Sequence, residues 1–221
     1  MKNKVKISIE EARNYLVNYH NLNKARDFKG IDGVIRCFQQ IKSIQYDPLD
    51  VVGRNADLVL QSRVSGYEPS MLYDLLYCQQ ELVDGFDKEM CIYAMKEFGN
   101  FARIRKACGK RAEGTLAYRG QSDALDILDE VRAYMKQNAL TGSRDLSIGE
   151  SRVSRWGHKK LSSAALDYLY CTGELIVKEK RGVHKYYDFT ESVVPKEFLK
   201  EADFLSDEEY LEWYIKRRIQ C

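Results

Sequence analysis

Histidine and proline are scarce in this chain, three of each among 221 residues. The six cysteines, Cys37, Cys78, Cys91, Cys108, Cys171 and Cys221, form no CxxC pair. With so few and such widely spaced histidines, zinc-ligand spacing is missing and no metal site is expected. The thiols are expected to be reduced and mostly buried as small apolar groups. Walker A, GxGxxG and GxSxG patterns are absent, which removes the usual anchors for nucleotide binding and acyl transfer, so no cofactor is expected. No stretch approaches the roughly 20 apolar residues of a membrane helix. The basic start Met1-Lys2-Asn3-Lys4 lacks the apolar run of a signal peptide. A cytoplasmic protein without a membrane partner is the expectation. A large excess of one charge is missing too: 35 Lys+Arg face 33 Asp+Glu, for a net +2. Any basic surface for nucleic acid must therefore be local. The low proline count and the lack of a Ser/Gly-rich tract argue against long linkers.

What is present is ordinary globular composition, 44% hydrophobic, enough for one or two domains. Ser8 with Glu11 is a capping box, and Ala12, Tyr15, Leu16 and Tyr19 recur at helical spacing. A second helix is expected near 33–41, a strand or short apolar turn over 56–60, and a helix opening at Glu68-Pro69. The basic run Arg103, Arg105, Lys106, Lys110 and Arg111 reads as a boundary, either a solvated helix end or a phosphate-contacting patch. Beyond it, helical spacing over 123–135, a short capped helix after Ser143 and a third helix over 161–169 precede two β-prone runs around Arg181-Gly182. Three helices and a hairpin is the winged-helix plan. The fold expected is mainly α with small β-hairpins (α+β), in tandem winged-helix (helix-turn-helix) units: 1–113, 114–200 with a basic wing, and 201–221 as the start of a third. The wing carries Lys178, Lys180, Arg181, His184 and Lys185. These suit a sugar-phosphate backbone, or alternatively guard a sheet edge. Arg152, Arg155, Lys159 and Lys160, around Trp156 and His158, are further candidates.

The stretch Ile44-Gln45-Tyr46-Asp47-Pro48-Leu49-Asp50-Val51-Val52 carries the clearest chemistry. In an extended chain, period-2 geometry points Gln45 and Asp47 to one face and Tyr46 to the other. Pro48 favours this by pushing Asp47 out of the α region. An amide and a carboxylate side by side can hold and polarise a water, which points to hydrolysis. The alternative is a polar turn in which Asp47 caps a helix starting at Pro48.

These segments resemble the AlkZ/YcaQ-type winged-helix DNA glycosylases of interstrand-crosslink repair. The resemblance runs through Ile44–Val52, Arg54 and Leu58–Val64, then Ser143-Arg144-Asp145 before Trp156-Gly157. It continues in Ala164–Leu169, Gly173-Glu174-Leu175 and Tyr187–Pro195. Gln45 and Asp47 match the family's Gln-x-Asp form. The resemblance implies that Asp47 activates the attacking water and steadies an oxocarbenium-like sugar, while Gln45 positions that water. It implies a monofunctional glycosylase, expected as a monomer, acting on double-stranded DNA with bulky N7-alkylated purines or interstrand crosslinks. Such a protein would be nucleoid-associated when bound. Arg54, Arg63 and Arg144, in matched segments, join the wing residues as candidate DNA contacts. Ala56 and the stretch 86–90 depart from the family pattern, which has histidines there. The chain is expected to be the N-terminal part of a longer protein, with Ser206 and Glu209 opening a last amphipathic helix. The other reading is a winged-helix DNA-binding protein without catalysis.

Overall fold

The computed structural model describes residues 5–22, 27–46, 50–149, 151–154, 157–202, 204 and 206–219. Asp47, Pro48, Arg155 and Trp156 lie outside the described residues, and so does Cys221.

Helix α1 (Ile9–Tyr19) begins at the expected capping box. Glu11 N donates to Ser8 Oγ at 3.1 Å, and Ser8 N donates to the Glu11 carboxylate at 2.7 Å. None of its residues is buried, and Tyr15 and Leu16 face solvent despite their helical spacing. After β1 (Phe28–Lys29) comes α2 (Gly30–Ile41), whose Val34, Cys37, Phe38 and Ile41 enter the core at helical intervals. Gly33 is required there, since a Cβ would lie 2.8 Å from the Phe28 carbonyl carbon. Next are β2 (Ser43–Gln45), α3 (Asn55–Arg63) and β3 (Val64–Ser65), the last paired in parallel with β1.

Helix α3 corrects the strand or short apolar turn expected over 56–60. Ala56 and Leu60 are both buried, four residues apart, whereas Leu58 is exposed. That one-turn spacing outweighs the β-prone look of Leu58-Val59-Leu60. Helix α4 (Pro69–Tyr73) opens at the expected proline and widens into a π-helical turn over Asp74–Cys78, which turns Leu75, Leu76 and Tyr77 inward. The hairpin β4 (Leu82–Phe86) and β5 (Met90–Ala94) follows, with β5 between β4 and β2.

Helix α5 (Ala102–Tyr118) runs unbroken through the expected boundary at 113/114. Helix α6 (Leu128–Gln137) starts later than expected, after a 3₁₀ turn over Ser122–Ala124. The helix expected after Ser143 is not found among the described residues. Instead β6 (Thr141–Gly142) joins a sheet, and Asp145 Oδ2 closes the turn on Gly142 N at 2.8 Å. Gly142 lets the Tyr186 ring lie close, where a Cβ would stand 3.0 Å from Cε1. Strands β7 (Ser151–Ser154) and β8 (Gly157–Lys160) form a hairpin before α7 (Leu161–Thr172).

Helix α7 ends as the sequence indicates, with Gly173 in the left-handed region at φ 81°. Strands β9 (Leu175–Arg181) and β10 (His184–Phe189) form the expected hairpin, and β10 lies between β9 and β6. Short helices α8 (Thr190–Val193) and α9 (Lys196–Leu199) lead to α10 (Asp207–Ile219), whose start is capped by Ser206 Oγ on Glu209 N at 3.1 Å.

The chain is thus a mixture of helices and small, largely antiparallel sheets. One apolar core runs from α2 and α4 through to α7 and β9, so both halves share it. A second cluster, including Val83, Tyr93, Phe101 and Ile176, packs beneath Trp213 of α10. No helix among the described residues is long and apolar enough to cross a membrane.

Candidate active site and nucleic-acid groove

Gln45 ends β2 with its side chain exposed, while Ile44 and Tyr46 on either side are buried. This is the alternation the sequence predicts for an extended segment. The backbone is held on both sides: Tyr46 N donates to Met90 O at 2.9 Å, and Asn55 Nδ2 donates to Gln45 O at 2.8 Å. Just upstream, Lys42 adopts φ 63° and ψ −51°, a strained conformation for a residue with a side chain.

That strained turn is clamped by the C-terminal helix. Arg217 Nη2 donates to Lys42 O at 3.1 Å and to Glu97 Oε2 at 3.0 Å, and Arg217 Nη1 stands 2.8 Å from Asp87 Oδ2. Ser43 Oγ donates to the same Asp87 oxygen at 3.0 Å. Arg218 also pairs with Asp87. Asp87 belongs to the stretch that departs from the family pattern, and here it joins α10 to the strand that carries Gln45. The sequence hid this link, because the partners are about 130 positions apart.

Beneath Gln45, the Tyr46 ring is covered by the Lys180 ammonium at 3.7 Å. Lys180 Nζ also pairs with Asp84 Oδ2 at 2.7 Å, and Tyr170 Oη donates to Asp84 Oδ1 at 2.8 Å. Burial first, and then the Asp84 carboxylate, push the Tyr77 and Tyr170 phenols well above the ordinary tyrosine range. Lys180 therefore faces inward, against the first sheet. Its partner Asp84 was missed by sequence reasoning, although a charged residue inside the apolar run Leu82–Phe86 was a signal.

The other expected DNA contacts fall into two sets. Arg144, His184 and Lys185 come together with Lys160 around a groove of about 460 Å³, whose lining also includes Ser143 and Asp167. Lys185 lies over the Tyr170 ring at 4.4 Å. Arg54 and Arg63 are elsewhere. Arg54 pairs with Asp57 at 2.6 Å, and Arg63 donates to Val59 O at 3.0 Å in the last turn of α3. Arg181 is tied to Glu179 at 2.7 Å and stacks on Tyr186, and Lys178 on β9 is half-buried. In the basic run, Arg105 donates to Phe98 O at 2.6 Å and Arg103 pairs with Asp207 at 2.5 Å, so two of its five basic side chains are engaged within the fold.

Among the described residues no cluster of histidine, cysteine and acidic side chains could hold a metal ion. A family model described as DNA glycosylase AlkZ-like matches residues 38–221. No solved structure matches the chain.

Proposed function

The chain belongs to the AlkZ-like DNA glycosylase family, and from that premise we propose that it removes bulky N7-alkylated purines, including those in interstrand crosslinks, from double-stranded DNA. The observation that carries this reading is Gln45, exposed at the end of a strand whose backbone is fixed on both sides and whose next residue is anchored by Lys180. A preorganised strand end is the support a water-positioning amide requires.

In this mechanism Asp47 takes a proton from the attacking water, and its carboxylate stabilises the positive charge developing at C1′. Gln45 holds the same water. An N7-alkylpurine is already cationic and leaves without strong acid assistance, so one hydrolytic step suffices and no lysine need form a Schiff base. The groove at Arg144, His184 and Lys185 would take the sugar-phosphate backbone.

The order of elements supports a tandem winged-helix reading. Helix α2, strand β2, helices α3 and α4, and hairpin β4–β5 give a sheet ordered first, third, second strand. Strand β6 and hairpin β9–β10 repeat that sheet order around helices α6 and α7, with hairpin β7–β8 standing where the first unit has helix α3. The protein would work as a monomer with no cofactor.

The test is base release from DNA containing N7-methylguanine, with Asp47→Asn as control. Abasic sites should form, and the variant should lose about 100-fold or more of the rate while still binding DNA. DNA binding without base release by the wild-type chain would overturn the catalytic reading. It would favour a non-catalytic DNA-binding protein, which the basic groove alone would serve.

A further inference from the structure

Helices α5 and α7 cross closely at the mouth of a cavity of about 470 Å³. Gly109 makes the approach possible: a Cβ there would stand 2.9 Å from Thr172 Cγ2 and 3.9 Å from Thr172 Cα. The residues just before these, Cys108 and Cys171, both line the cavity, and each thiol is the strongest influence on the other's titration. A disulfide needs a Cα separation of about 4.4–6.8 Å, and the helices are in close contact one residue further along, where Gly109 meets Thr172. Arg111, one turn along α5, and Arg119 line the same cavity. We propose that Cys108 and Cys171 are a peroxide-reactive dithiol that closes to a disulfide joining α5 to α7.

Of the two thiols, Cys108 has the character that attack on peroxide needs. The neighbouring Cys171 side chain and the Arg111 guanidinium hold the Cys108 thiol at about 7, against the effect of burial. The neighbouring Cys108 and burial push the Cys171 thiol far up. Other cysteines contrast with this pair. Cys37 and Cys91 are buried, and desolvation raises both. Cys78 is exposed and also raised.

The Cys108 thiolate attacks one oxygen of hydrogen peroxide. The S–O bond forms, the O–O bond breaks, and the departing hydroxide takes a proton to become water. Sulfur is oxidised to sulfenic acid and the peroxide oxygen is reduced. Cys171 sulfur then attacks the Cys108 sulfur, forming the S–S bond and breaking S–O. The second hydroxide takes the Cys171 proton and leaves as water. Two thiols and one peroxide give one disulfide and two waters.

The test is to treat the native chain with equimolar hydrogen peroxide, block free thiols and map peptides without reduction. A Cys108–Cys171 linked peptide is expected, with four of the six thiols left to alkylate. In Cys171→Ala, dimedone should trap sulfenic acid at Cys108, whereas Cys108→Ala should give neither product. Before oxidation, iodoacetamide at pH 7 should label Cys108 about tenfold faster than Cys37 or Cys91. Six free thiols after treatment of folded protein, or a link to a different cysteine, would overturn the proposal.

Discussion

Lys180 Nζ and Asp84 Oδ2 stand 2.7 Å apart, with the Asp84 side chain fully out of solvent and most of the lysine covered. The pair fastens hairpin β9–β10 to the sheet that carries Gln45. A basic residue expected to face DNA thus serves as an internal tie. Removing it would leave Asp84 buried and uncompensated. Lys180→Met should destabilise the fold by about 3–5 kcal/mol in urea unfolding. Adding Asp84→Asn should recover part of that loss, and a double variant as unstable as the sum of the two singles would refute the coupling.

Arg217 is as deeply buried as its partner Asp87, and it also grips the carbonyl of the strained Lys42. Arg217→Met should therefore do more than release α10. It should lower stability by about 3–5 kcal/mol and expose new protease sites near 206–219. It should also slow base release more than it weakens DNA binding, because the turn before Gln45 loses its clamp. Equal loss in binding and rate would show that the clamp does not reach the strand.

The groove residues should behave as phosphate contacts. Arg144→Gln and Lys185→Gln are each expected to reduce the slope of log affinity against log salt by about 0.9. Arg54→Gln, which disturbs a partly buried pair with Asp57, should leave that slope unchanged and lower thermal stability instead. The same slope for Arg144→Gln and the wild type would move the DNA path away from this groove.

Cys37 gives a pH signature. Burial pushes its thiol from 9.0 to about 11. The folded state thus favours the protonated form, and the resulting stability is complete below pH 9 and disappears as pH rises towards 11. Two pH units correspond to about 3 kcal/mol as an upper scale. Denaturant midpoints at pH 7 and pH 10.5 should fall less for Cys37→Ala than for the wild type. Identical falls would rule out Cys37 as a source of the alkaline loss.

Elements fixed by neighbouring residues were legible in the sequence. The Ser8–Glu11 box, the Pro69 start of α4, the Gly173 stop of α7 and the Arg181-Gly182 turn each depend on a few adjacent positions. Residues 56–60 and 141–146 misled for a related reason. Leu-Val-Leu suggests a strand until burial selects Ala56 and Leu60, and Thr141-Gly142 becomes a strand only because Tyr186 and Tyr187 arrive to pair with it. At the site, the exposure of Gln45 followed from alternation alone. The roles of Lys180 and Asp87 did not, since a charged side chain reads as solvated until its distant partner is known.

Helix α5 is a continuous 17-residue rod that belongs to both halves of the molecule. Its backbone hydrogen bonds cannot be divided between two separately melting units. Amide exchange along Ala102–Tyr118 should therefore report a single cooperative opening that includes α7 and the first sheet together. A chain cut near 113 would give two fragments that each lack a side of their own core. The strand end of Gln45 and the groove at Arg144 are thus joined through one shared apolar core.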